Sequence, residues 1–87
     1  MRVARSTHTE PYKILLEVLI DARKRAGVTQ TELARRLKRP QPYMSMVERG
    51  ERRVDVIQFY AIMKALGADP EEVFRELITK LPENVDV

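Results

Sequence analysis

Between Thr29 and Gly50 the chain fits two helices and almost nothing else, and this crowding constrains the fold more than any other feature. Thr29-Gln30-Thr31-Glu32 reads as a capping box, with a hydroxyl at the N-cap and a carboxylate at the third helical position. The helix behind it runs to about Leu37 and turns Leu33, Ala34 and Leu37 inward. After the turn Lys38-Arg39-Pro40 a second helix runs from Gln41 to Arg49, and Gly50 supplies the left-handed residue that ends it. Helices this short, joined by about three residues, must cross steeply, as in a helix-turn-helix.

Three more helix signals frame the pair. Residues 11–26 open on Pro11, place Leu15, Val18, Leu19, Ala22 and Ala26 on one face, and stop at Gly27. Asp55-Val56-Ile57-Gln58 is a second box, ahead of Phe59, Ile62, Met63 and Leu66. Asp69-Pro70-Glu71-Glu72 is a third, with Pro70 at the first helical position, and its helix carries Val73, Phe74, Leu77 and Ile78 before Pro82 ends it. No segment reads as a strand. The expected fold is all-α, a five-helix domain over residues 11–81, with a flexible basic arm over 1–10 and a short tail over 82–87.

Composition excludes several function classes. There is no cysteine and a single histidine, His8, so neither a thiolate site nor a transition-metal cluster is expected. No Ser/His/Asp set, glycine-rich phosphate loop or secluded carboxylate pair is legible, so no enzyme and no cofactor are expected. No apolar run approaches the roughly 18 residues of a membrane span, LLEVLI at 15–20 is too short for a signal peptide, and with no cysteine the cytoplasm is the expected compartment. Charge is unevenly spread. Residues 1–53 hold 13 Lys/Arg against 6 Asp/Glu, a balance of +7, whereas residues 54–87 hold 3 against 7, a balance of −4. A basic front and an acidic back suit a polyanion bound on one side.

The second helix of the central pair faces that polyanion. On a helical wheel Met44 and Val47 point inward, while Pro42, Ser45, Met46 and Arg49 point out. A solvent face would carry Lys and Glu. This one carries short polar and apolar groups, which suit base edges and thymine methyls. Pro40 and Pro42 fall where backbone N–H groups lack helical partners, so they stiffen the entry at little cost. Gln41 then sits at the helix tip, and its amide suits bidentate pairing with adenine. Gln41, Pro42, Ser45 and Met46 are the expected base-reading set. Arg49, Arg52 and Arg53, with Arg39 in the turn, are candidate phosphate clamps. Tyr43 stands at the edge of the face, placed either to bond a phosphate through its hydroxyl or to cover the core.

The stretch GVTQTELARRLKRPQPYMSMVERGERRVD, residues 27–55, resembles the phage repressor and Cro-type helix-turn-helix family, also called XRE-like. Thr29, Gln30, Leu33, Ala34, Gln41, Ser45, Glu48 and Gly50 match its pattern, Met44 fills an isoleucine position, and the helix layout extends the likeness over about residues 11–80. Pro40, Pro42 and Met46 depart from it. They stand where the family usually has a capping Ser or Thr, a polar base contact, and Lys, Arg or Gln. The resemblance implies a phosphate held at Thr29 and Gln30, where free N–H groups and the positive helix end also favour an anion. It also implies a structural ion pair between Arg23 and Glu48. It further implies a dimer on a palindromic double-stranded operator, with half-sites one helical turn apart.

The apolar surplus of the last helix gives that dimer an expected seam, through Phe74, Leu77, Ile78 and Leu81; the same residues are alternatively the completion of the monomer core. Ile14, Leu16 and Ile20 are expected on the outside of the first helix. The function expected from all this is sequence-specific DNA binding and transcription regulation by a homodimeric repressor. Two alternatives stand beside it. One is an antitoxin-like module that binds a partner toxin and represses its own operon; the other is a protein-interaction module without DNA binding.

Overall fold

The computed structural model describes residues 9–85 and contains five helices. These are α1 (Glu10–Arg25), α2 (Gln30–Arg36), α3 (Tyr43–Glu48), α4 (Val56–Leu66) and α5 (Pro70–Lys80), with no strand among the described residues. The all-α, five-helix expectation holds. α1 packs against α3, α4 and α5, while α2 packs against α3 and α4.

Four of the five helices, all but α3, begin where a side chain satisfies their first N–H groups. Thr9 Oγ1 accepts from Tyr12 N at 3.3 Å, so α1 starts at Glu10, inside the stretch read as arm. The rest of that arm, with His8, lies outside the described residues. Asp55 and Gln58 form a complete capping box on α4, and Asp69 caps α5 with Pro70 in the first turn. The box expected on α2 is half formed. Thr29 Oγ1 accepts from Glu32 N at 3.1 Å, but the Glu32 carboxylate is taken by Arg35 and Arg36.

The turns that end α1 and α3 share one geometry, with glycine in the left-handed region and the following N–H bonded back to a carbonyl of the last turn. The turn after α2 makes the same two bonds, Lys38 N to Arg35 O and Arg39 N to Ala34 O, but with Lys38 at φ 58°. A lysine there is strained by its Cβ.

The core is built on Leu19, Leu33, Met44, Ile62, Met63, Val18 and Val47, all essentially inaccessible. Leu16, expected outside, is buried, and Ala26, expected inside, is exposed. The reason is that α1 is central: three helices cover it, so Tyr12, Leu16 and Leu19 widen its apolar stripe, and Ala26 lies beyond the last turn. α3 has only 6 residues, far fewer than the roughly 12–15 an isolated helix needs. Packing holds it, because fully burying side chains such as Met44 and Val47 contributes about 1.5–3 kcal/mol each.

Candidate nucleic-acid interface

α3 starts two residues later than its sequence suggests. Gln41 and Pro42 belong to a turn closed by Tyr43 N donating to Pro40 O at 2.9 Å, and Pro42 caps the helix without a side-chain bond. The proline ring disfavours helical backbone in the residue before it, which keeps Gln41 out of the helix. Its position is nonetheless fixed. Gln41 Nε2 donates to Thr31 Oγ1 at 3.2 Å, tying the turn to the first turn of α2. Pro42 and Gln41 are exposed, and Met46 is half-buried on the outer side of α3.

Ser45 and Arg49 are linked. Ser45 Oγ donates to Pro42 O at 3.1 Å and accepts from Arg49 Nη1 at 3.2 Å. The other edge of the Arg49 guanidinium makes two bonds to Glu51, at 3.0 and 3.1 Å. That pairing raises the Arg49 pKa and holds the Glu51 carboxyl below its ordinary value, chiefly through the hydrogen bonds themselves. Of the two placements open to Tyr43, the structure takes the second: the side chain is 4% exposed and covers the core. Its ring instead supports two cations, Arg39 at 5.3 Å and Arg52 at 5.5 Å from the centroid. Arg53 lies over the ring of Tyr12 at 5.3 Å, and the Tyr12 hydroxyl accepts from Val54 N at 2.9 Å, which anchors the loop after α3 to α1. Arg39, Arg49, Arg52 and Arg53 therefore sit on the turns and loop that border α3.

Behind this face lies a buried polar cluster. Arg23 Nε and Nη2 donate to the two carboxylate oxygens of Glu48 at 2.7 and 3.1 Å, and Arg23 Nη1 donates to Val28 O at 2.9 Å. Gln30 is the third member, which the sequence did not announce: its Nε2 donates to Glu48 Oε1 at 2.7 Å. One carboxylate thus joins the ends of α1, α2 and α3. The Gln30 amide nitrogen is turned inward, and Thr29 remains exposed at the N-cap.

α4 and α5 expose an apolar face. Phe74 and Ile78 are 48% and 55% exposed, whereas Leu77 is buried at 7% and belongs to the monomer core, and Leu81 is half-buried. The seam expected through all four is corrected accordingly: the heptad-like spacing of α5 turns Leu77 inward with Val73. Val56, Ile57 and Tyr60 of α4 are also exposed and extend the face. A groove of about 530 Å³ is lined by Val56, Phe59 and Tyr60 of α4, Phe74 and Leu77 of α5, and Leu15 of α1. The signal was present in Asp55-Val56-Ile57, where two large apolar residues follow the cap beside the core stripe of Phe59, Ile62, Met63 and Leu66 rather than within it.

Among the described residues no group of His, Cys, Asp and Glu is arranged to hold a metal ion, and no helix is long and apolar enough to cross a membrane. A family model described as a helix-turn-helix domain matches residues 15–75. Among solved structures the chain is similar to an XRE-family like protein from Pseudomonas syringae pv. tomato str. DC3000, with 40% identity and a TM-score of 0.79 over 94% of this chain and 100% of that one. No curated protein matches.

Proposed function

The chain belongs to the XRE-like helix-turn-helix family of DNA-binding regulators, and from that premise we propose that it is a cytoplasmic, dimeric, sequence-specific repressor that reads the major groove with α3 and the turn before it. The observation that carries this reading is the border of Arg39, Arg49, Arg52 and Arg53 around a face of short side chains, Gln41, Pro42, Ser45 and Met46. Phosphate contacts by the arginines, with Thr29 at the tip of α2, set the register, and the central face meets the bases. Gln41 pairs with adenine through the amide edge that Thr31 leaves open, and Pro42 and Met46 offer thymine methyls an apolar surface. Ser45 acts chiefly by orienting Arg49, because its hydroxyl is engaged on both sides.

One α3 spans only a few base pairs, so the proposed operator is palindromic and the proposed unit a symmetric dimer. The apolar face of Val56, Ile57, Tyr60, Phe74 and Ile78 is the seam this reading uses. A promoter held across two half-sites excludes other proteins, and repression follows directly. Selection of bound sequences from random duplex DNA at near-physiological salt tests the whole reading. The expected product is a two-fold symmetric site with half-site centres about 10 base pairs apart. A folded protein that enriches no sequence would refute it.

A further inference from the structure

Arg49 stands at the end of α3 with one edge of its guanidinium fully occupied by a carboxylate. We propose that Glu51 is an internal competitor for DNA phosphate: it clamps Arg49 in the free protein, and docking exchanges that carboxylate for a phosphate. The proposal rests on the DNA-binding reading above and adds to it a residue that limits affinity.

Three observations of geometry carry it, and a fourth, of charge, supports it. The Glu51 carboxylate is on the side of α3 that the reading turns toward DNA, because the same guanidinium that binds it also binds Ser45 Oγ on that outer face. Glu51 cannot swing clear with its loop, since its N–H is bonded to Met46 O at 2.8 Å in the turn at Gly50. The pair is open to solvent, with side chains 57% and 54% exposed, so an incoming anion reaches it without unfolding anything. The carboxyl is also held below its ordinary pKa by Arg49, so near neutral pH it is a competing anion, rather than a proton, that opens the clamp.

The exchange predicts a distinct signature. A phosphate that binds Arg49 releases a DNA counterion, but it leaves an ionised carboxylate beside the DNA that takes up a cation. The two nearly cancel in the salt dependence. Glu51→Gln keeps the shape and removes the charge. It should raise affinity for random duplex DNA about two- to tenfold at low salt and steepen the slope of log K against log salt by up to about 1.

The experiment is a salt titration of random 20-base-pair duplex by fluorescence anisotropy, with unsubstituted protein, Glu51→Gln, Arg49→Ala and the double variant. The expected result is a gain for Glu51→Gln that disappears in the Arg49→Ala background. An equal gain in that background would show a general charge effect and overturn the clamp. Loss of affinity in Glu51→Gln, with an unchanged melting temperature, would make Glu51 a support for Arg49 and overturn it too. Absence of any DNA binding by the unsubstituted protein would remove the underlying reading, and the proposal with it; the other two failures leave that reading intact.

Discussion

Removing the Glu48 carboxylate should be the most damaging single polar change in this domain. Glu48→Ala deletes the acceptor of three hydrogen bonds, two from Arg23 and one from Gln30. The side chains of Arg23 and Glu48 are 12% and 6% exposed, so Arg23 would keep its charge in a nearly dry site with only Val28 O as partner. Breaking one side of a buried pair in this way costs about 3–5 kcal/mol. At about 4–8 °C per kcal/mol for a domain of this size, the melting temperature should fall by roughly 12–40 °C. Urea unfolding followed by circular dichroism measures the loss, and an unchanged m-value would show that it lies in the native state. The exposed pair Arg25–Glu76 is the control, and Glu76→Ala should cost only a small fraction as much. Replacing both partners, Arg23→Met with Glu48→Leu, should recover most of the loss, because no charge then remains buried. A loss below about 1 kcal/mol for Glu48→Ala, or a double variant no better than the single, would refute the assignment of a buried, satisfied network.

Lys38→Gly should raise stability by roughly 0.5–1 kcal/mol, the left-handed strain relieved less the extra freedom of the unfolded chain, whereas Lys38→Ala should be neutral; midpoints of urea unfolding decide this. Thr31→Val should weaken preference for the selected operator by roughly 2–10-fold, the worth of one hydrogen bond, leave affinity for random DNA unchanged, and be rescued by Thr31→Ser; competition binding separates the two. Arg35, and then Arg36, pull the Glu32 carboxyl to about 2, and Glu51 and Glu76 are also held below the ordinary 4.5. Folded values below unfolded ones mean that this stabilisation is complete above the unfolded pKa and is lost as pH falls toward the folded one. Urea midpoints should therefore hold down to about pH 5 and decline below it, and proton NMR should place the Glu32 midpoint near 2. Phe74→Asp should leave the fold intact and yield a monomer by sedimentation, because Phe74 is exposed on the proposed seam.

Most of the fold was legible because local chemistry and hydrophobic period agree in this chain. Each cap the sequence displays starts a helix, and Gly27 and Gly50 end α1 and α3. What escaped the sequence depends on tertiary position. Leu16 reads as peripheral on a one-sided helix, but α1 is covered by three neighbours. Lys38 gave no hint of a left-handed turn, because residue identity points to glycine and the chain tolerates the strain. The resemblance gives Gln30 a phosphate role but not its bond to Glu48, which arises only when α3 crosses α2. Tyr43 sat at the edge of the wheel, and only packing decided between core and phosphate. The side chains proposed to meet DNA are the least legible group, since Gln41, Ser45 and Arg49 are defined by partners that the fold brings to them.

Those partners change what binding must mean for this protein. Arg39 and Arg52 rest on Tyr43, Arg49 is shared by Ser45 and Glu51, and Gln41 leans on Thr31. Contacts to DNA are therefore exchanges for internal ones, and the net gain of each is small compared with a cation waiting in water. Two opposite consequences follow. Preorganised side chains lose little rotamer entropy when they dock, which favours the correct sequence. Engaged side chains give little to an incorrect one, which keeps loose phosphate binding weak. On the proposed reading a single domain built this way would bind modestly, and two domains held on one operator would multiply their effective concentration rather than their contacts. A strong dependence of operator affinity on dimer formation is then a property of the α3 surface itself. It should persist in Glu51→Gln, which strengthens each half-site without touching the apolar face of α4 and α5.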